Sequence, residues 1–173
     1  VATGTAAGRP GWRWTGFAEG AGCVYAGGSI GSSQGHVYAF GIKADGSGLD
    51  VGLVAATLPT SESVTGLGGY LGYVLVGTST GVRLAQVGGS NDLTHGAAVA
   101  TGQPVRCFDP SDRFVYFGWE TFDAGSSGLG RIDLSVFTAT LRPAYASDLM
   151  ATVTGEVRFV LEHDGLLYFG AGE

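Results

Sequence analysis

One short string recurs four times in this chain and limits what it can fold into. Phe114-Val115-Tyr116-Phe117-Gly118 has copies in Cys23-Val24-Tyr25-Ala26-Gly27, Tyr73-Val74-Leu75-Val76-Gly77 and Leu166-Leu167-Tyr168-Phe169-Gly170. The closing glycines stand 50, 41 and 52 residues apart. The register extends upstream. Ten residues before Val24, Val74, Val115 and Leu167 come Trp14, Val64, Val105 and Val157, and three residues after each of those comes Phe17, Leu67, Phe108 or Val160. A loop would not hold that spacing four times, so the chain is a repeat protein, and its period is that of a four-stranded blade rather than a solenoid repeat.

Each unit reads as short strands separated by Gly-rich turns. The first takes Trp14 to Glu19, Cys23 to Gly28, His36 to Ile42 and Val51 to Thr57; the second takes Ser63 to Leu67, Tyr73 to Thr78, Val82 to Val87 and Ala97 to Thr101. The third takes Val105 to Asp109, Phe114 to Trp119, Gly130 to Leu134 and Thr138 to Arg142. The fourth shows only Glu156 to Leu161 and Leu166 to Ala171, joined by a turn at His163-Asp164-Gly165. Ala144 to Thr154 reads as a link between units with room for one helical turn. Phe114-Val115-Tyr116-Phe117 is apolar on both faces, as a strand covered from both sides must be, whereas Val82-Arg83-Leu84-Ala85-Gln86 alternates like a strand nearer water. The expected fold is all-β: a β-propeller of three four-stranded blades and the first half of a fourth, part of a larger propeller. Residues 1–11 form a linker or arm, and the blades occupy 12–58, 63–101, 104–143 and 156–173.

Composition narrows the function classes. With 32 Gly and 5 Pro in 173 residues and 45% hydrophobic residues, the chain suits an ordered core with many turns. Its net charge of -6 comes without any Lys/Arg cluster, which argues against nucleic acid as a partner. No apolar run has the length of a membrane-spanning helix, and the start lacks the regions of a signal peptide. Cys23 and Cys107 fall at different places in different units, so two buried thiols are expected rather than a disulfide. No initiator Met and an unfinished fourth unit together suggest a piece of a longer chain, whose missing blades come from further sequence or another chain.

Candidate chemistry is thin. Gly27-Gly28-Ser29-Ile30-Gly31 spells a nucleophile elbow, but that motif needs a helix after the serine and a strand follows here. His36, His95 and His163 sit at non-equivalent places, and no metal-ligand spacing exists. Asp45-Gly46-Ser47-Gly48 and Asp123-Ala124-Gly125-Ser126 read as turns. Gly66, Gly68, Gly69 and Gly72 have the wrong spacing for a dinucleotide loop and read as packing glycines. Asp109, Asp112, Glu120 and Asp123 bracket one strand, yet no other unit offers partners at matching positions for a carboxylate pair. No catalytic, cofactor or metal site is therefore expected. The candidate contact site is the long connection from Trp119 to Leu129, with Trp119, Glu120, Phe122 and Asp123 as contact residues, because extra length and aromatics suit recognition. The other course open to Trp119 and Phe122 is to fold back over the sheet edge. Trp12 and Trp14 are expected in the core of the first unit.

Signatures of WD and Kelch repeats are absent. The chain resembles the β-propeller portion of minor tail proteins of long-tailed bacteriophages through Trp14-Thr15-Gly16-Phe17-Ala18-Glu19-Gly20, the run from Gly69 to Thr78 with Gly81-Val82-Arg83-Leu84, and the run from Gly128 to Leu134. That resemblance implies a structural virion component at the tail tip, with no enzyme activity and no cofactor. Its partners would be other tail subunits and a host cell-surface glycan or protein. The alternative is a secreted, extracellular bacterial propeller that binds or hydrolyses carbohydrate, which would need acids or His converging from several units.

Overall fold

The computed structural model describes residues 12–31, 33–111, 113–120, 126–137 and 140–172. Among them every regular element is a β-strand. The first sheet contains β1 (Trp12–Gly20), β2 (Cys23–Ile30), β3 (His36–Gly41) and β4 (Leu53–Thr57). The second contains β5 (Val64–Tyr70), β6 (Tyr73–Thr78), β7 (Gly81–Val87) and β8 (Leu93–His95), and the third β9 (Val105–Pro110), β10 (Phe114–Glu120), β11 (Ser126–Phe137) and β12 (Pro143–Thr154). A terminal hairpin of β13 (Glu156–His163) and β14 (Leu166–Gly172) completes the described chain. Strands pair only with their sequence neighbours, all antiparallel, so each sheet is a meander.

Local chemistry explains the hairpins. Ala21-Gly22, Leu71-Gly72 and Asp164-Gly165 each place two consecutive residues at positive φ, with values of 51 and 74, 39 and 81, and 52 and 76 degrees. Two left-handed residues make a type I′ turn, whose twist matches the flanking strands, and glycine takes the second position at little cost. The same turn thus joins first to second strand in three of the four units.

Each first strand also carries one extra residue at the same place. Thr15, Thr65, Arg106 and Arg158 are skipped in the pairing, so Trp14 faces Gly28 while Gly16 faces Gly27. The equivalent pairs are Val64 with Thr78 and Gly66 with Gly77, Val105 with Trp119 and Cys107 with Gly118, and Val157 with Ala171 and Phe159 with Gly170. Such bulges bend the strand and re-aim the extra side chain.

The sheets stack in chain order, first strands side by side, β1 on β5 on β9 on β13. The bulged threonines tie the seams: Thr15 Oγ1 donates to the Val64 carbonyl at 2.6 Å, and Thr65 Oγ1 makes the same bond to the Val105 carbonyl. At each seam a closing glycine admits the next sheet. Gly27 receives Val64, Gly77 lies against the Val105 carbonyl, and Gly118 receives Val157; a Cβ at any of the three would overlap its neighbour. Between the first two sheets lie Tyr25, Val37, Leu58, Val64 and Val74, all buried. Leu75, Leu84, Val105, Phe117 and Ile132 fill the second seam, and Leu129, Val153, Val157 and Val160 the third. No substantial contact joins the first sheet to the terminal hairpin.

Fourth strands depart from expectation. Instead of Ala97 to Thr101, residues Leu93–His95 pair with β7, because a tight turn in which Gly88 donates to the Asp92 carbonyl brings Leu93 opposite Val87. Val99 rejoins through one bridge to Val82. Of the strand expected at Thr138 to Arg142, residues 138 and 139 lie outside the described residues and 140–142 are not in a strand; the fourth strand is β12, so the stretch Ala144 to Thr154, read as a link, is an edge strand along β11. Its Tyr, Thr and Val favour extended backbone, and Val153 is buried. β11 likewise begins at Ser126 rather than Gly130, with Ser127 paired to Glu120.

The seams make a mutational prediction. Gly77→Ala should lower stability by about 1–3 kcal/mol through overpacking, measured by urea unfolding, whereas Gly89→Ala, which meets nothing within 4 Å, should have little effect.

Candidate contact surface

Period-two alternation along β10 decides the fate of the expected contact residues. Val115, Phe117 and Trp119 share one face, and Trp119 is buried in the second seam with Leu75 and Ile132. Of the two courses left open for Trp119, contact surface or folding back, its indole takes the inward one, and the strand runs on through Glu120. Phe122 and Asp123 lie outside the described residues, as does Asp112.

Glu120, on the opposite face, is anchored. Its Oε1 accepts from Arg106 Nη2 at 2.7 Å and from Nε at 3.0 Å. Arg106 also meets Glu156 at 2.5 Å, and Arg158 stands 3.8 Å from Glu156, so four alternating charges run from the third sheet onto the terminal hairpin. Burial alone would ease the proton off Arg106, but Glu120 and Glu156 together raise its pKa above the ordinary value. Exposed pairs of this kind contribute at most about 1 kcal/mol each. They align strands more than they stabilise them.

Other residues singled out by the sequence are scattered. Ser29 is buried in β2 and donates to the Gly31 carbonyl, while His36, paired with Gly28, faces the other side of the sheet. His95 lies near the Thr57 carbonyl, and His163 is exposed beside Asp164. Asp45 caps its own turn by accepting from Ser47 N at 2.9 Å, and this bond lowers its pKa. Asp109 accepts from Glu162 N and pairs with Tyr116, four residues before Glu120 on β10. At about 3.3 Å per residue the two backbone positions are offset by roughly 13 Å along the strands, and the two side chains are engaged separately, Asp109 by Glu162 N and Glu120 by Arg106. Among the described residues no three of His, Cys, Asp and Glu gather as metal ligands do. Both cysteines are free; Cys23 is buried and Cys107 half-buried, with burial pushing the Cys107 thiol up to about 11.

Three clusters escaped the sequence reading. On the front of the first sheet, the face turned away from the second, Trp12, Trp14, His36, Tyr38 and Phe40 form an aromatic ladder with ring centroids 5.6 to 6.4 Å apart. Trp12 and Trp14 thus do pack in the first unit, half-buried. The spacing by two within 12–14 and 36–40 was the available signal. On the third sheet, the guanidinium groups of Arg113 and Arg131 flank the Phe114 ring at 5.1 and 4.7 Å. The hydrogen bonds from Arg113 hold Asp133 well below the usual carboxylate range.

The third cluster is a buried ion pair. Arg83 binds Glu62 through two 2.7 Å hydrogen bonds and donates to the Gly96 carbonyl at 2.8 Å. Burial alone would raise the Glu62 pKa, but Arg83 with the Thr78 and Thr80 hydroxyls brings it below the ordinary value. A further feature is an open groove of about 580 Å³ lined by Tyr70, Leu71, Pro110, Ser111 and Glu162, where Ser111 donates to Glu162 at 2.9 Å.

The chain matches no family model, and no curated protein matches it.

Glu62→Gln should cost about 3–5 kcal/mol in urea unfolding at pH 7, since it strands Arg83 without its counter-charge. Because the folded carboxyl is depressed, the wild-type advantage is full above the ordinary glutamate value of 4.5 and fades as the pH falls through the folded value. The gap between wild type and variant should accordingly narrow in acid.

Proposed function

We propose that the chain is a β-propeller module, its sheets the blades, acting as a rigid assembly and attachment scaffold at the tail tip of a long-tailed bacteriophage. The observation that carries the propeller reading is the repeated seam. Equivalent glycines and valines meet at Gly27 with Val64 and Gly118 with Val157, with Gly77 against Val105, and the first strands line up in chain order. One contact repeated by one step is what blades arranged about an axis produce.

Scaffold rather than catalyst is supported by the state of the ionisable groups. Among the described residues the carboxylates with displaced titration, Asp45, Glu62, Asp133 and Glu162, are all displaced downward. A general acid needs the opposite displacement. Glu62, Asp133 and Glu120 are moreover held in pairs that align strands. The tail-tip assignment draws on the resemblance carried by Trp14 to Gly20, Gly69 to Leu84 and Gly128 to Leu134. Partners on this reading are neighbouring tail subunits and a glycan or protein of the host surface.

Antibodies raised against residues 12–172 should label the tail tip of intact virions in electron microscopy; label on the capsid or shaft would overturn the assignment. Replacing residues 121–125 by a Gly-Ser linker should lower host adsorption without changing the circular dichroism spectrum. Chromogenic glycosides should not be turned over, and a useful rate would favour the carbohydrate-cleaving alternative.

A further inference from the structure

Among the described residues the stack has two uncovered ends, and the residues there can be compared with those at the three internal seams. Leu67 and Val160 are 9% and 7% exposed under the preceding sheet, whereas the equivalent Phe17 on the first sheet is 64% exposed. Tyr25 and Leu75 are fully buried under the following sheet, whereas the equivalent Tyr168 on the hairpin is 48% exposed. Phe159, Leu161 and Leu166 share that exposure. Front and back are therefore two halves of an interface the chain makes three times internally.

These halves do not fit each other. At the third seam Arg106, the bulged residue of β9, meets Glu156, the residue just before Val157. By the same step Arg158, the bulged residue of β13, faces whatever precedes the valine position on the next sheet. On the first sheet that residue is Arg13, which pairs with Ser29 as Glu156 pairs with Gly172. Two guanidinium groups would meet. The steric match fails as well. Phe159 stands where Gly16, Gly66 and Cys107 stand in other units, and its ring already lies across Gly170, in the socket that receives valine elsewhere. The first sheet offers Trp14 at that point, so bulk would meet bulk.

We propose that the back of the terminal hairpin is a docking face for a sheet of the same repeat from outside residues 1–173, which presents an acidic side chain to Arg158 and a small residue to Phe159. A second copy of this chain is rejected by Arg13 and Trp14. The inference rests on the stacked sheets and is independent of any role at a virion.

The test uses the chain and variants of its front face. Wild type should sediment as a monomer up to about 100 μM. A probe carrying Arg13→Glu and Trp14→Ala supplies the acid and the small residue, and Arg158→Ala in the same probe takes away the charge partner on its own back face without offering an acid to Arg13 of another chain. Mixed with wild type, the probe should form a 1:1 complex at least tenfold tighter than any wild-type self-association, and Arg158→Ala in the wild-type partner should abolish it. Because Trp14→Ala removes part of the aromatic ladder, a second probe with Arg13→Glu and Arg158→Ala alone keeps that ladder and should bind more weakly but with the same dependence on Arg158. Wild-type chains that associate through these faces, or folded probes that both stay monomeric with wild type, would overturn the proposal. Virion labelling that fails while these complexes form would remove only the tail-tip reading.

Discussion

Everything in this molecule depends on how closely one sheet can approach the next. Backbone meets backbone at Gly16, Gly66 and Gly77, where a single methyl group would overlap the facing chain. That proximity brings the bulged threonines within reach of carbonyls across the seam and leaves Tyr25, Leu75 and Phe117 without solvent. Glycine costs conformational entropy in a strand. Here the loss is offset by apolar surface that no larger residue would let the sheets bury, at roughly 25 cal/mol per Å².

Two groups of charges border these seams. Glu62 and Arg83 bind across the second sheet through two hydrogen bonds, while Arg106, Glu120, Glu156 and Arg158 run along the edge where the third sheet meets the hairpin. A buried pair adds little net stability over an apolar pair but penalises wrong registers, since either partner alone is costly. The electrostatics of the protein thus act on alignment. That role agrees with the downward displacement of the Glu62 and Asp133 carboxyls by their arginine partners.

Much of the fold was legible because the repeat writes the same information several times. The recurring string, apolar on both faces in β10, marked the first two strands of each unit, and Gly165 was legible as a turn residue; Gly72, read as a packing glycine, is instead the second residue of a turn, at a φ of 81 degrees with nothing within 4 Å. Fourth strands were harder to read. They lie at sheet edges, where one side meets water and composition is weakly constrained, so Leu93–His95 and Pro143–Thr154 were displaced or taken for a link. Trp119 shows a signal present but outweighed: its spacing from Val115 and Phe117 placed it inward, while the Gly/Ser-rich run after it suggested a loop. The contacts of Glu120 with Arg106 and of Arg83 with Glu62 join residues 14 and 21 positions apart and leave no local trace in the sequence.

The meander order of the strands bears on how the molecule is made. Every backbone ladder joins strands adjacent in the chain, so each hairpin can close over a short loop before any seam forms. Topologies with mostly local pairing fold faster than those that must bring distant strands together. As the ribosome releases the polypeptide, one meander can be finished and waiting when the next emerges, and the growing array lengthens by addition at its C-terminal side.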